Sequence, residues 1–367
     1  MTTTRITFAV ALTLIQATGA HAGKLVVAAY GVDAPDCGAK IAPCRSISQA
    51  IANADPGDTI EVGPGRYGDL DGNGAVGPGD EAMLAGVAIR VTKPLRIVSR
   101  DGSGVTVIDA SGVQAGVGIY SSGVVLGARK RGFTITGASS WGAFCDTAVR
   151  DVRIEGNWAR GNYHGFLASG ERVSVIGNRA IANEDTGFVI GATESYVADN
   201  VAIANRQGIF ARGADSTLAG NVVSANGPSG TTAGIYVRAR TRLEGNVVSG
   251  NRGTGIGIFA DGDGTRVVGN RIAGNTGIGI EIGGGQPVGD LVVTRNDVLG
   301  NNVLRSPGGA ENCGLANGTG SPLAAPANYW GAAGGPGSDP ADATCGNAVV
   351  IEPVAAKSFR IRAKAAR

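Results

Sequence analysis

Three features of the sequence predict an all-β protein built as a right-handed parallel β-helix: asparagines that recur once per coil, 62 glycines in 367 residues, and short β-branched runs between them. Asn157, Asn178, Asn200, Asn221, Asn246, Asn270 and Asn296 are separated by 21, 22, 21, 25, 24 and 26 residues. A second series, Asn162, Asn183, Asn205, Asn226, Asn251, Asn275 and Asn301, follows the first by five residues each time. Self-similarity at a period of roughly 20 to 50 residues marks a solenoid, so each gap reads as one coil. A left-handed hexapeptide helix would need a six-residue apolar period, which the chain lacks.

Within a unit, a β-branched run precedes the first Asn, a short run leads to the second, and a glycine and an apolar residue follow, as in Val173 to Asn178, Asn183 and Gly187-Phe188. That pattern holds three short strands per coil and therefore three sheets. Parallel strands need long connections, and here each coil is its own connection, stacking equivalent strands about 4.8 Å apart. Asparagine tolerates left-handed backbone at the bends, and its amide can bond the next asparagine in a ladder. Less regular coils are readable upstream in Thr59 to Val62, Val87 to Val91, Leu95 to Ser99, Val105 to Ile108 and Phe133 to Ile135. The total is about eleven coils, a rod on the order of 50 Å long.

An open solenoid exposes unpaired backbone at its ends and needs caps. Ile47, Ala50, Ile51 and Ala54 fall at helical spacing between Ser46, an N-cap, and Asp55-Pro56-Gly57, a stop, which predicts a short helix over the N-terminal end. Residues 312–346 are expected to close the other end.

The first 22 residues read as an export signal: Arg5, an apolar run from Ile6 to Ile15, then Ala20-His21-Ala22 before Gly23. That run is about ten residues, half of what spans a bilayer, and no later segment is apolar for longer. The expectation is a secreted protein, periplasmic or extracellular, with one β-helix domain over 23–367 and no membrane span. Cysteine usage agrees with an oxidising compartment: Cys37 with Cys44 and Cys313 with Cys345 read as two local disulfides, and Cys145 as a buried thiol. A zinc site is the competing reading, but paired CxxC spacing is absent and one histidine, His164, follows the signal. The formal charge of +2 falls to +1 without Arg5, which excludes nucleic-acid binding over the whole surface. Lys357, Arg360, Arg362, Lys364 and Arg367 form a basic tail that reads as a solvated or frayed end, or as a contact for an anionic polymer.

Cys37, Cys44, Arg45-Ser46-Ile47, Gly57-Asp58-Thr59-Ile60, Pro64-Gly65-Arg66-Tyr67, the Gly-Asn repeats and Asn328-Tyr329-Trp330-Gly331 with Gly335-Pro336-Gly337 occur in that order. This order resembles secreted bacterial proteins of the parallel β-helix repeat family, over nearly all of the chain beyond the signal. The resemblance implies a fold similar to that of pectate lyases and a scaffold rather than a particular reaction.

One stretch breaks the repeat. Asp69, Asp71, Asn73, Ala75 and Asp80 stand at positions 1, 3, 5, 7 and 12 of a loop with Gly74 at position 6, the spacing with which oxygen ligands wrap a calcium ion. Ala75 would lend its carbonyl, and Glu81 could substitute for Asp80. No helix pair flanks the loop and Pro78 interrupts it, so the competing reading is a solvated acidic turn. Any Ca²⁺ there is expected to be structural.

Stacking also aligns turn positions into strips. After the second asparagine, successive coils present Tyr163 and His164, Glu184 and Asp185, Arg206 and Gln207, Gly227, Arg252 and Thr276. Carboxylates, a base and an aromatic suit an acidic sugar chain, and Trp141, Trp158 and Tyr163 are candidates for stacking on sugar rings. The expected function is a carbohydrate-binding or surface recognition scaffold whose partner is a polysaccharide or cell-surface glycan, with Tyr163, His164, Gln207 and Arg252 as contacts. The alternative is a polysaccharide lyase, with Glu184 and Asp185 holding a calcium ion and Arg206 as base, or less favourably an inverting hydrolase with two carboxyl groups about 6.5 to 9.5 Å apart. Paired-aspartate, Gly-His-Gly and Arg-x-Pro-x-x-Arg signatures are missing. One histidine cannot by itself build a copper site, which counts against a role among β-helix proteins serving periplasmic copper enzymes.

Overall fold

The computed structural model describes residues 22–227, 234–259, 262–283, 289–302, 312–337 and 341–362. The predicted export signal up to residue 21, and Lys364 and Arg367 of the basic tail, lie outside them. The described chain winds into a parallel β-helix of three sheets. The first has eleven strands, from Lys24–Val27 through Thr59–Val62 to Val292–Thr294. The second has ten, from Gly65–Gly68 to Asp297–Leu299, and the third eleven, from Val87–Val91 to Ala343–Gly346. One coil is Arg153–Glu155 in the first sheet, Trp158–Arg160 in the second and His164–Ala168 in the third. Each pairs in parallel with its counterpart 21 or 22 residues on, as Ile154 does with Val175 and Phe166 with Phe188.

The asparagines sit at the two tight corners. Each ladder Nδ2 donates to the Oδ1 of the asparagine one coil on and to a backbone carbonyl of the coil before, and the ladder backbone N–H donates to that same Oδ1. Asn178 does so with Asn200 at 3.2 and 2.9 Å and with the carbonyl of Ile154 at 2.8 Å. In this way a buried amide satisfies the backbone that the corner leaves unpaired. The left-handed backbone expected at the asparagines belongs instead to the residue before each one: Gly156, Gly177 and Asp199 in one series, Gly161, Ala182 and Ala204 in the other, all with φ between 52° and 69°. The turn is made there, and the asparagine is left free to point inward. The first ladder runs on past Asn296 to Asn328, and the second ends on Asp342 rather than at Asn301.

Inside, the coils stack Val, Ile, Leu, Ala and Phe in a dry column, with Ile154, Ala159 and Phe166 fully buried from one coil alone. Phe166 and Phe188 stack at 5.2 Å between coils. One helix, α1 (Ile47–Asn53), covers the N-terminal end, and its buried face is Ile47, Ala50 and Ile51. Ser46 Oγ accepts from the Gln49 N–H at 3.0 Å, and Lys93 Nζ donates to the carbonyls of Ile51, Ala52 and Ala54 at the far end. Cys37 is bonded to Cys44 and Cys313 to Cys345, and Cys145 is a buried free thiol. At the C-terminal end the fully buried Trp330 joins Leu323 and Ala325 in the core.

Candidate functional site

The third sheet carries the candidate site because its strands enter from the second corner at a close approach of backbones. In Trp141–Cys145, His164–Ala168, Thr186–Ile190 and Gln207–Ala211 the second position is glycine. A Cβ on Gly165 would lie 2.3 Å from the carbonyl oxygen of Gly187, and one on Gly187 would lie 2.9 Å from Asn205 Nδ2. The residue before each glycine therefore stands at the rim of the sheet. Trp141 pairs in register with His164, and Thr186 with Gln207, so four successive coils contribute to one strip.

Over that strip lies a groove of about 400 Å³, lined by Trp141, His164, Asp185, Thr186, Val189, Arg206, Gln207, Phe210 and Arg212. The indole of Trp141 stacks on the His164 ring at 4.2 Å with the planes 19° apart. Tyr163, 41% exposed, meets the same ring edge-on at 4.6 Å. Asp185 lies between two basic groups: its Oδ2 is 4.0 Å from His164 Nδ1, and its Oδ1 is 3.6 Å from Arg206 Nη1. The Thr186 N–H donates to His164 Nδ1 at 3.3 Å, so that nitrogen is an acceptor and the ring is neutral in this geometry. Burial pushes the His164 pKa below the usual histidine value, against the opposing charge of Asp185.

Of the residues read from sequence, His164, Asp185, Arg206 and Gln207 thus share one groove and Tyr163 borders it. Glu184 is exposed and does not line it, and neither does Arg252. Trp158 packs on the second sheet under the Arg179 guanidinium, 5.4 Å from its ring centre. Val189 and Phe210, at outward positions of their strands, and Arg212, just past the end of one, escaped sequence reading because the strand register was needed to place them side by side.

In the 69–81 loop, Asp69, Asp71 and Asp80 bring one carboxylate oxygen each to within 4.8 Å of one another. Asp69 is fully buried; burial alone would raise its pKa, but the Gly74 and Gly72 N–H groups donating to it hold it below the usual value. Asn73 Oδ1 accepts from the Ala75 N–H at 3.0 Å. Glu81, grouped with these ligands by sequence, turns the other way: its two oxygens accept from the N–H groups of Ile47 and Ser48, each at 2.7 Å, at the start of α1. Burial pushes its pKa up to about 7.

Copper would call for nitrogen and sulfur donors. Beyond residue 22 the sequence holds one histidine, His164, one methionine, Met83, and one cysteine outside the disulfides, Cys145. His164 Nδ1 already accepts a backbone hydrogen bond, Met83 lies half-exposed beside the 69–81 loop, and burial pushes the Cys145 thiol up to about 12. Among the described residues, the other carboxylate and thiol cluster is Asp33 with Cys37 and Cys44, whose sulfurs are bonded to each other. The donor set does not fit a resident copper ion.

No curated protein sequence matches the chain. Among solved structures it is similar to pectate lyase Pel9A, at 16% identity over 93% of this chain and 80% of that one with a TM-score of 0.54. It is similar also to the A-module of the Azotobacter vinelandii mannuronan C-5 epimerase AlgE4, at 16% identity over 82% and 89% with a TM-score of 0.52. At these identities the likeness is one of fold, and it matches the coil geometry above. The family model for NosD, described as a periplasmic copper-binding protein, matches residues 116–332, which takes in the groove and nearly all of both ladders. The single histidine counted against a role in copper delivery, yet the match spans more than half of the sequence: the chain belongs to the NosD family of periplasmic β-helix proteins.

Proposed function

We propose that this protein is a periplasmic recognition scaffold that binds a carbohydrate chain in the groove of the third sheet. The observation that carries the reading is the convergence, over four coils, of the stacked Trp141 and His164 rings with the Asp185 and Arg206 pair and Gln207. An apolar ring face beside fixed donors and acceptors is what a sugar requires, since its own two faces are apolar C–H and its rim is hydroxyl. The family's copper is not carried over, because the donors are missing. Proteins of like fold that act on pectate and mannuronan lend the reading support without supplying a residue.

The test is isothermal titration of the protein lacking residues 1–22 with pectate, alginate and glycosaminoglycans. Saturable binding of one polymer, weakened at least tenfold in Trp141→Ala and in Arg206→Ala, is the expected result. Absence of binding to every polymer, or binding indifferent to both substitutions, overturns it.

The Asp185 and Arg206 pair at the groove supports a second reading, a polysaccharide lyase. His164 is not its base: Nδ1 accepts the Thr186 N–H, so the neutral ring holds its proton on Nε2. Arg206 would act as the base, taking the C5 proton while the C4–O bond breaks and the leaving sugar oxygen takes a proton from solvent, giving an unsaturated uronate end. Ultraviolet absorbance of such ends, lost in Arg206→Ala, is the sign of it. Calcium in the 69–81 loop belongs to the proposal as a structural clamp, supported by the three converging carboxylates.

A further inference from the structure

Beyond the groove, the third sheet carries a column of outward residues in unbroken register: Phe144 against Leu167, Leu167 against Val189, Val189 against Phe210, Phe210 against Tyr236, and Tyr236 against Gly257. At Gly257 the column is completed from the side. The Phe259 ring lies over the glycine, where a Cβ would come within 2.7 Å of its Cε2, and stacks on Tyr236 at 4.7 Å with the planes 19° apart. The rings of Phe144, Phe210, Tyr236 and Phe259 are only partly covered. Arg212 and Arg238 follow the paired residues Ala211 and Val237 and stand in the neighbouring column, both exposed. Neither makes an ion pair with any described residue, whereas Arg172, Arg240 and Arg242 on other turns are paired with Asp151, Asp215 and Glu244.

We propose that this column is a track for an anionic polysaccharide laid along the rod axis, entering at the groove and running over Phe210, Tyr236 and Phe259 with Arg212 and Arg238 reading its acidic groups. The inference rests on the carbohydrate reading of the groove and fixes what that reading leaves open: the direction of the chain, its length and its charge. Coils advance by about 4.8 Å, close to the advance of an extended 1,4-linked pyranose chain per sugar. Successive rings therefore meet successive sugars, and a guanidinium beside them meets a carboxylate with two parallel hydrogen bonds. Two exposed arginines with no ion pair to a described residue place positive charge beside the column, which suits a polyanion.

The test is titration of the chain lacking residues 1–22 with oligogalacturonates and oligomannuronates from dimer to hexamer, and with cello-oligosaccharides as a neutral control. Affinity is expected to climb with each added acidic sugar up to about the hexamer, with little for the neutral series. Tyr236→Ala, and Tyr236→Leu, which keeps the surface apolar and guards against a folding defect, should each lower hexamer affinity about tenfold and leave the dimer unchanged. Arg238→Gln should flatten the salt dependence of hexamer binding. Affinity that is level from dimer to hexamer, or a Tyr236→Leu hexamer titration equal to the parent while Trp141→Ala abolishes binding, removes the track and leaves the groove. Neutral and acidic hexamers binding alike remove the role of the arginines and with it the proposal. Binding of no oligomer overturns track and groove together.

Discussion

Asn301 hands its ladder to a carboxylate: its Nδ2 donates to Oδ2 of Asp342 at 2.7 Å, and its backbone N–H faces both oxygens of that group at 3.3 Å. Asp342 is fully buried. It does for the last coil what the next asparagine does for every other. Asp342→Ala leaves a backbone N–H and one N–H of a buried amide, whose other N–H bonds the Ile272 carbonyl, without an acceptor, and a loss of about 3 kcal/mol is expected in denaturant unfolding. Asp342→Asn retains an acceptor and should remain within about 1 kcal/mol of the parent. Equal losses in the two variants would mean that the negative charge, and not the acceptor, is what the corner needs.

Mid-ladder, Asn200 accepts from Asn178 and donates to Asn221 Oδ1 at 3.0 Å and to the Val175 carbonyl at 2.8 Å. Asn200→Ala should cost about 3 kcal/mol or more, since it orphans groups on three coils. Asn200→Asp should do no better, because a carboxylate cannot donate to Asn221 and faces its oxygen. Retention of the parent stability in Asn200→Asp, measured by thermal and denaturant unfolding at neutral pH, would count against the donor role.

His164 gives the pH dependence. Its folded pKa is depressed by burial, so the neutral ring is the one the fold favours. The stability it contributes is present above the unfolded histidine value of about 6.5 and is lost as pH falls through the lower folded value. The NMR titration of its ring should have a midpoint below that reference. Asp185→Asn, which removes the charge that raises the pKa, should move the midpoint lower still. A midpoint above the reference would show the Asp185 charge outweighing burial.

Addition of millimolar Ca²⁺ is expected to raise the melting temperature of the parent, and Asp69→Asn should abolish the rise, because Asp69 is the buried member of the converging carboxylates. A melting curve indifferent to Ca²⁺ and to a chelator would identify the loop as a turn closed by its own hydrogen bonds.

Cys145 should resist thiol reagents in the folded state. Burial both excludes the reagent and pushes the pKa up to about 12, leaving almost no thiolate at neutral pH. Labelling should begin only as the protein unfolds, and rapid labelling of the native chain would place the thiol at the surface.

The repeat was legible because each corner asks for the same residue type at the same step, so the Asn157 and Asn162 series stood out by spacing alone. The last rungs were not. Asn328 lies 32 residues beyond Asn296, outside the range of the earlier gaps, and at Asp342 the residue type itself changes. Glu81 was misplaced for a related reason: its neighbour in sequence, Asp80, suggested a shared ligand set, whereas its partners Ile47 and Ser48 are 34 and 33 residues away. At the groove, His164, Asp185, Arg206 and Gln207 were readable because they follow ladder asparagines. Val189, Phe210 and Arg212 needed the strand register, which no local pattern encodes.

In both ladders the side chains donate in the same chain direction, from each rung to the one after it, so a coil carries one donor end and one acceptor end at each corner. A segment such as 178–199 can then be duplicated or deleted whole without leaving an unmatched rung. Rod length becomes something that unequal recombination can change a coil at a time, and lineages of this architecture can be expected to differ by multiples of one coil. Insertions of any other size would accumulate in the turns between the second sheet and the third, where residues 69–86 already part Gly65–Gly68 from Val87–Val91.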